Sequence, residues 1–114
     1  DDPAFADAMV AYKEAAYPEA RNKFGSLLER EPGNDTLRYY MACTALALND
    51  PGTAIPHLRS IVEAGSSAFS AKARWYLFLA YVRNGDTEMA RALDLDADPT
   101  YGGRARTIKK RLGP

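Results

Sequence analysis

The 114-residue sequence has only one cysteine, Cys43, and one histidine, His57. A single cysteine excludes an internal disulfide framework. Zinc sites built from several Cys and His ligands are excluded as well. Hydrolase-type triads need a histidine with partners at a defined geometry, and no Gly-rich phosphate loop or nucleophile-elbow motif occurs. We therefore expect no enzyme, no metal and no other cofactor, with His57 as a partly exposed surface residue and Cys43 as an inert, small apolar residue.

The sequence also lacks net charge and long apolar runs. Its 15 basic and 15 acidic side chains cancel, which argues against nucleic acid as the main partner. The longest uncharged stretch, residues 39–49, is about half as long as a membrane-spanning helix. We expect no direct membrane insertion by this segment. A composition of 46% hydrophobic and 26% charged residues is typical of a globular protein, and the length predicts one domain over residues 1–114.

Turn-forming residues separate stretches whose apolar positions follow a helical period. The dipeptides Pro32-Gly33 and Pro51-Gly52 are examples of these breaks, and Leu37, Met41 and Leu48 show the spacing of one helical face. No stretch alternates as a strand does, so the fold is predicted to be all-α. The predicted helices span residues 4–16, 18–30, 36–48, 51–64, 69–83, 87–95 and 104–112. The sixth is expected to be short, because residues 94–98 are a poor continuation of a helix. Asp50 and Asp86 stand where N-caps of two of these helices are expected.

A repeat of about 34 to 36 residues runs through the chain. Its clearest marker is an alanine near the start of every second helix, at Ala20, Ala54 and Ala90, and a large apolar residue follows the first two at Phe24 and Leu58. Each unit would be a helical hairpin, and hairpins of this size must stack on one another to bury their apolar faces.

With the segment Trp75–Tyr81, the turn Gly85-Asp86 and Ala90, the third unit resembles the tetratricopeptide repeat (TPR) family most clearly. The resemblance covers nearly the whole chain. It implies three antiparallel helical hairpins stacked as a right-handed α-solenoid, with units at about 1–34, 35–68 and 71–98 and a short capping helix at about 104–112. The sequence departs from the family at Phe78, where the family has Gly or Ala.

The resemblance also implies a concave groove formed by the first helix of each hairpin. The positions that would line it are Phe5, Met9, Tyr12, Lys13, Tyr39, Cys43, Leu46, Ala47, Lys72, Trp75, Leu79, Val82 and Arg83. Such an apolar strip, rimmed by cations, suits an amphipathic helix or an extended peptide with an acidic residue or C-terminus. The alternative for Trp75 and Tyr39 is that they belong to the core between helices.

The implied function is a protein–protein interaction module or scaffold that binds a protein or peptide of unknown identity. The alternative is structural self-association, a homodimer formed through exposed repeat faces. The chain is similar to bacterial TPR modules at the end of longer, sometimes membrane-anchored chains. This similarity implies a soluble periplasmic or cytoplasmic part and leaves the compartment open.

Two charged segments near the C-terminus have simpler interpretations. Asp94, Asp96 and Asp98 alternate like part of a calcium loop, but the glycine and glutamate of an EF-hand are missing, which favours a solvated turn. Residues 104–111 hold five basic side chains and no acid, and are expected to form a solvated cap at the end of the array.

Overall fold

The computed structural model describes residues 2–113, and over this range it has seven α-helices and no β-strand. The helices are α1 Pro3–Lys13, α2 Tyr17–Arg30, α3 Asp35–Ala47, α4 Pro51–Ala64, α5 Ser70–Arg83, α6 Thr87–Ala92 and α7 Gly102–Arg111. The prediction of an all-α fold is confirmed. The terminal residues of the expected domain, Asp1 and Pro114, lie outside the described range. No helix within it has the length and hydrophobicity needed to cross a membrane.

Each helix from α1 to α5 packs against the next one along the chain, and α3 also contacts α5. The alanines that mark the repeat lie at these packed surfaces: Ala20, Ala54 and Ala90 have no solvent exposure. A methyl side chain lets two helix backbones approach closely, which explains the small residue at this point of every pair. The described chain therefore contains the expected helical pairs α1–α2, α3–α4 and α5–α6.

The core forms two clusters along an elongated body of 46 × 27 × 21 Å. The N-terminal cluster is built around Phe24, Leu27 and Leu37, and the larger one extends from α3 to α7. Tyr40 packs against both clusters and so links them. Phe78, the departure from the TPR pattern, is fully buried and stacks on Trp75, with ring centroids 5.8 Å apart.

The structure departs from the predicted helix bounds by three residues at the ends of α1 and α6, by two at the start of α7 and by at most one elsewhere. α1 stops at Lys13 rather than residue 16, because Ala15 adopts a left-handed conformation with φ of 59°. α2 begins one residue early, at Tyr17, since Pro18 fits the first turn of a helix without losing a hydrogen bond. α6 ends at Ala92 rather than residue 95, and Leu95 lies beyond it as a core residue with 1% exposure.

Of the two predicted N-caps, one is confirmed and one is wrong. The Asp50 carboxylate accepts hydrogen bonds from the Thr53 backbone N–H and hydroxyl, and pairs with Arg21 of α2 at 2.9 Å. Asp86 stands at the N-cap position of α6 but makes no capping hydrogen bond. Its carboxylate instead accepts a hydrogen bond from the Asn84 amide.

The C-terminal helix is attached to the preceding loop by its basic side chains. Lys109 donates to the Leu93 carbonyl at 3.0 Å and to the Asp96 carboxylate at 2.9 Å. Asp98 accepts hydrogen bonds from the backbone N–H groups of Thr100 and Tyr101, at the turn that leads into α7. The alternating aspartates thus organise the loop, as the turn interpretation expected.

Candidate functional site

An open groove of about 270 Å³ lies where α1, α3 and α5 come together. It is lined by Tyr12, Cys43, Leu46, Ala47, Tyr76, Leu79 and Arg83. We call this the α1–α3–α5 groove. All of these residues except Tyr76 belong to the set that the TPR resemblance placed along the concave face.

The helical period explains why these side chains meet. On α3, Cys43 is followed by Leu46 three residues later, and on α5, Tyr76 is followed by Leu79 at the same spacing, so each pair lies on one helical face. Tyr76 was not predicted, because it is not among the positions that the TPR resemblance places in the groove. Its spacing from Leu79 was the signal in the sequence that could have found it.

Apart from Arg83, the polar groups of the groove lining are uncharged. Burial, followed by interaction with Cys43, raises the pKa of the Tyr12 hydroxyl, and the same causes raise the pKa of Tyr39, a buried neighbour of Cys43 outside the lining. Burial also raises the pKa of the Cys43 thiol, against the lowering effect of its hydrogen bonds with Tyr39 and Tyr12 and of the nearby Lys72 ammonium. These groups therefore stay protonated and neutral at physiological pH.

The charge of the groove comes from α5. None of the lining residues is acidic, and Arg83 closes one end of the groove, where its guanidinium donates a hydrogen bond of 2.9 Å to the Leu46 carbonyl. Lys72 lies one helical turn before Tyr76 and is exposed. The lining therefore has no negative charge that would repel an acidic ligand.

The remaining predicted groove residues lie elsewhere. Phe5 and Met9 pack at the side of the N-terminal core cluster, and Phe5 lines a separate depression near the start of α3. Lys13 is exposed, and Val82 is half-buried against the larger core cluster.

The two aromatic residues with a core alternative are both buried. Tyr39 stacks on Phe69 with ring centroids 4.6 Å apart. Trp75 is 7% exposed and stacks almost parallel to Tyr101, with centroids 5.0 Å apart. The small exposed part of Trp75 lines a second, apolar depression together with Arg104 and Ile108 of α7. Neither ring lines the α1–α3–α5 groove.

His57 lies outside the groove. It is partly exposed, as expected, and burial together with the Arg38 charge lowers its pKa. In the part of the chain that the structure describes, no group of three or more His, Cys, Asp or Glu side chains could hold a metal ion.

Comparison with family models and with curated proteins gives no match to this chain.

Proposed function

We propose that this chain is a TPR-like interaction module that binds a peptide segment of another protein in the α1–α3–α5 groove and performs no catalysis. The observation that carries the proposal is the groove itself. Three helices that are not consecutive in the chain contribute to it, and its lining is apolar and aromatic, with one cation at the end. Interaction sites commonly combine aromatic and aliphatic anchors with a polar rim in this way.

The proposed architecture is a right-handed stack of three hairpins with α7 as a cap. Packing between consecutive helices and the buried alanine in each pair support it. The face of α7 turned away from the core also supports a cap, since Arg104, Lys110 and Arg111 are exposed there. A terminal element with a polar outer face is what a stacked array needs to stay in solution.

The rival proposal, assembly of copies through exposed repeat faces, has less support. Among residues 2–113, the exposed large hydrophobic side chains are Val10 and Met89, with 53% and 46% exposure. They lie on α1 and α6, in the first and third helical pairs. Single apolar residues are ordinary on protein surfaces and do not amount to an interface.

The experiment that tests the proposed function is selection from a display library of random peptides, followed by affinity measurements with groove variants. Leu79→Asp and Ala47→Glu each introduce a charge into the lining, whereas Val10→Asp places the same charge on exposed surface outside it. We expect selected peptides to lose at least about tenfold in affinity with the two groove variants, because a buried unpaired charge costs several kcal/mol. Affinity should be unchanged with Val10→Asp.

Circular dichroism of each variant checks that it folds, and Ala47→Glu is the safer of the two because Ala47 is exposed. Peptides that bind all variants equally, or a library that yields no binders, would contradict the proposed function.

A further inference from the structure

The longest continuous feature of the groove is a stripe along α5 that begins and ends with a cation. Lys72, Tyr76, Leu79 and Arg83 follow one another at helical spacings of four, three and four residues, which places them on one face. With a rise of about 1.5 Å per residue, the two cations lie roughly 16 Å apart along the helix. The apolar depression lies between them, at Tyr76 and Leu79.

No unpaired acidic side chain on these three helices opposes the stripe, and Lys13 at the end of α1 is a further exposed cation. The third cation of α5, Arg74, donates to the Asp94 carbonyl, away from the groove. On α3, Asp35 and Arg38 pair with each other at 3.2 Å in the first turn. On α1, Asp7 pairs with Lys23 of α2. The electrostatic pattern that a ligand meets in this groove is therefore positive, apolar, positive.

The volume of the depression favours an extended peptide over a helical one. A volume of about 270 Å³ accommodates one large side chain, whereas a helix is about 10–12 Å across. An extended segment can place one side chain in the depression while its backbone runs along α5. Because side chains of an extended chain alternate, those facing the groove are at positions i, i+2 and i+4.

Positions i and i+4 of an extended chain are about 13–14 Å apart, at about 3.4 Å per residue. The long side chains of Lys72 and Arg83 can make up the remaining distance to two carboxylates. An acidic residue at i+5 would also match the separation of Lys72 and Arg83 along α5, but its side chain would point to the opposite side of the peptide.

Resting on the proposed function, we propose that the partner is an extended segment of the form acid-x-large apolar-x-acid, lying along α5. The central side chain occupies the depression at Leu79, one carboxylate pairs with Lys72 and the other with Arg83. The partner is thus a protein that presents an acidic, extended stretch with a single apolar anchor.

The test uses two synthetic peptides of identical composition, titrated by NMR into the whole chain. One contains Glu-Ala-Leu-Ala-Glu and the other Ala-Glu-Leu-Glu-Ala, so that the peptides differ in the side on which the acids lie and in the spacing between them. We expect the first to bind about fivefold or more tightly, since each exposed ion pair contributes a factor of about two to five. Its advantage should shrink as NaCl is added, because salt screens exposed pairs.

Lys72→Gln and Arg83→Gln should each weaken the first peptide about two- to fivefold and leave the second almost unchanged. Arg104→Gln, an exposed cation on α7, is the matched control and should change neither. Equal binding of the two peptides, absence of binding by the first peptide, or an effect of Arg104→Gln as large as those of the groove variants would overturn the inference. If library peptides of another pattern still depend on Leu79 and Ala47, the proposed function stands without it.

Discussion

The fold leaves no room for a Cβ atom at Gly102. The residue is buried where α7 begins, directly against the loop that precedes it. A Cβ atom built at this position would lie 2.5 Å from the Asp96 carbonyl oxygen and 3.1 Å from that of Leu95. Both contacts are with backbone atoms, which cannot move aside as the end of a flexible side chain can.

We therefore expect Gly102→Ala to destabilise the fold by about 1–3 kcal/mol, the usual cost of an overpacked site. Gly103→Ala is the matched control, since a Cβ there meets nothing closer than the Arg106 guanidinium at 3.9 Å. Alanine is the better helix former, so the control should be neutral or stabilising by up to about 1 kcal/mol. Urea unfolding monitored by circular dichroism measures both, and equal effects would contradict the packing argument.

Cys43 offers a second test at the same scale. Because burial raises the pKa of its thiol, the thiolate fraction at a given pH is smaller than in a short peptide. We expect alkylation by iodoacetamide to be slower at pH 8 and its pH profile to be displaced to higher pH. The matched reference is a cysteine peptide under the same conditions. A rate as fast as that of the peptide would show that the groove floor is open to solvent.

Most of the residues that line the groove could be predicted from the sequence. The prediction did not separate residues that line the groove from residues that pack beside it. Cys43, Leu46 and Leu79 follow from the TPR positions. Trp75 occupies an equivalent position on α5, yet the structure buries it because Tyr101 stacks on its face. Tyr101 is 26 residues away in a loop, and no periodicity in the sequence predicts that contact.

The start of α4 is stabilised by Asp50, the residue immediately before the helix. Asp50 caps α4 and also pairs with Arg21, which connects α4 to α2. Its Thr53 hydrogen bonds, followed by the Arg21 charge, hold the pKa of the carboxyl below its usual 3.8. Asp86 occupies the corresponding place before α6 without a capping bond, and therefore serves as an internal comparison.

Asp50→Ala should cost about 1 kcal/mol of unfolding free energy at pH 7, and Asp86→Ala clearly less. The pKa of Asp50 is lower in the folded state than in the unfolded chain. Its stabilisation is thus complete above the unfolded value near 3.8 and is lost as pH falls through the folded one. The difference between wild type and Asp50→Ala should shrink below about pH 4. A difference that persists at pH 2 would mean that capping by the charged carboxylate is not its source.

Helix number and type were predictable, whereas two of the element ends were not. Proline and glycine at the breaks, together with the apolar period, located all seven helices. The early end of α6 depends on Leu95, which leaves the helix to enter the core with 1% exposure. The end of α1 depends on a left-handed alanine, a conformation that alanine adopts only when its surroundings impose it. The aspartates of residues 94–98 do indicate a short α6, but the local sequence does not show which residue enters the core or that Ala15 is left-handed.

At the scale of the whole molecule, the polarity of the surfaces at its two ends bears on whether copies associate. The depression on the outer side of α1 and α2 is lined mostly by polar residues: Ala4, Asp7, Asn22, Lys23, Ser26, Leu27, Glu29 and Arg30. At the other end, α7 exposes Arg104, Lys110 and Arg111. The apolar depression at Trp75 and Ile108 is small and bordered by Arg104, so neither end offers an extended apolar surface.

We therefore expect a monomer of 12.5 kDa by light scattering on a sizing column, from micromolar to millimolar concentration. Small-angle scattering should give a radius of gyration close to 14.5 Å, above the roughly 13 Å of a spherical domain of this length, because the helices form an elongated body. A stable dimer would contradict this expectation and would direct attention to Val10 and Met89. Val10→Asp and Met89→Asp should then restore the monomer, and if the dimer disappears with Leu79→Asp instead, the groove itself would be its interface.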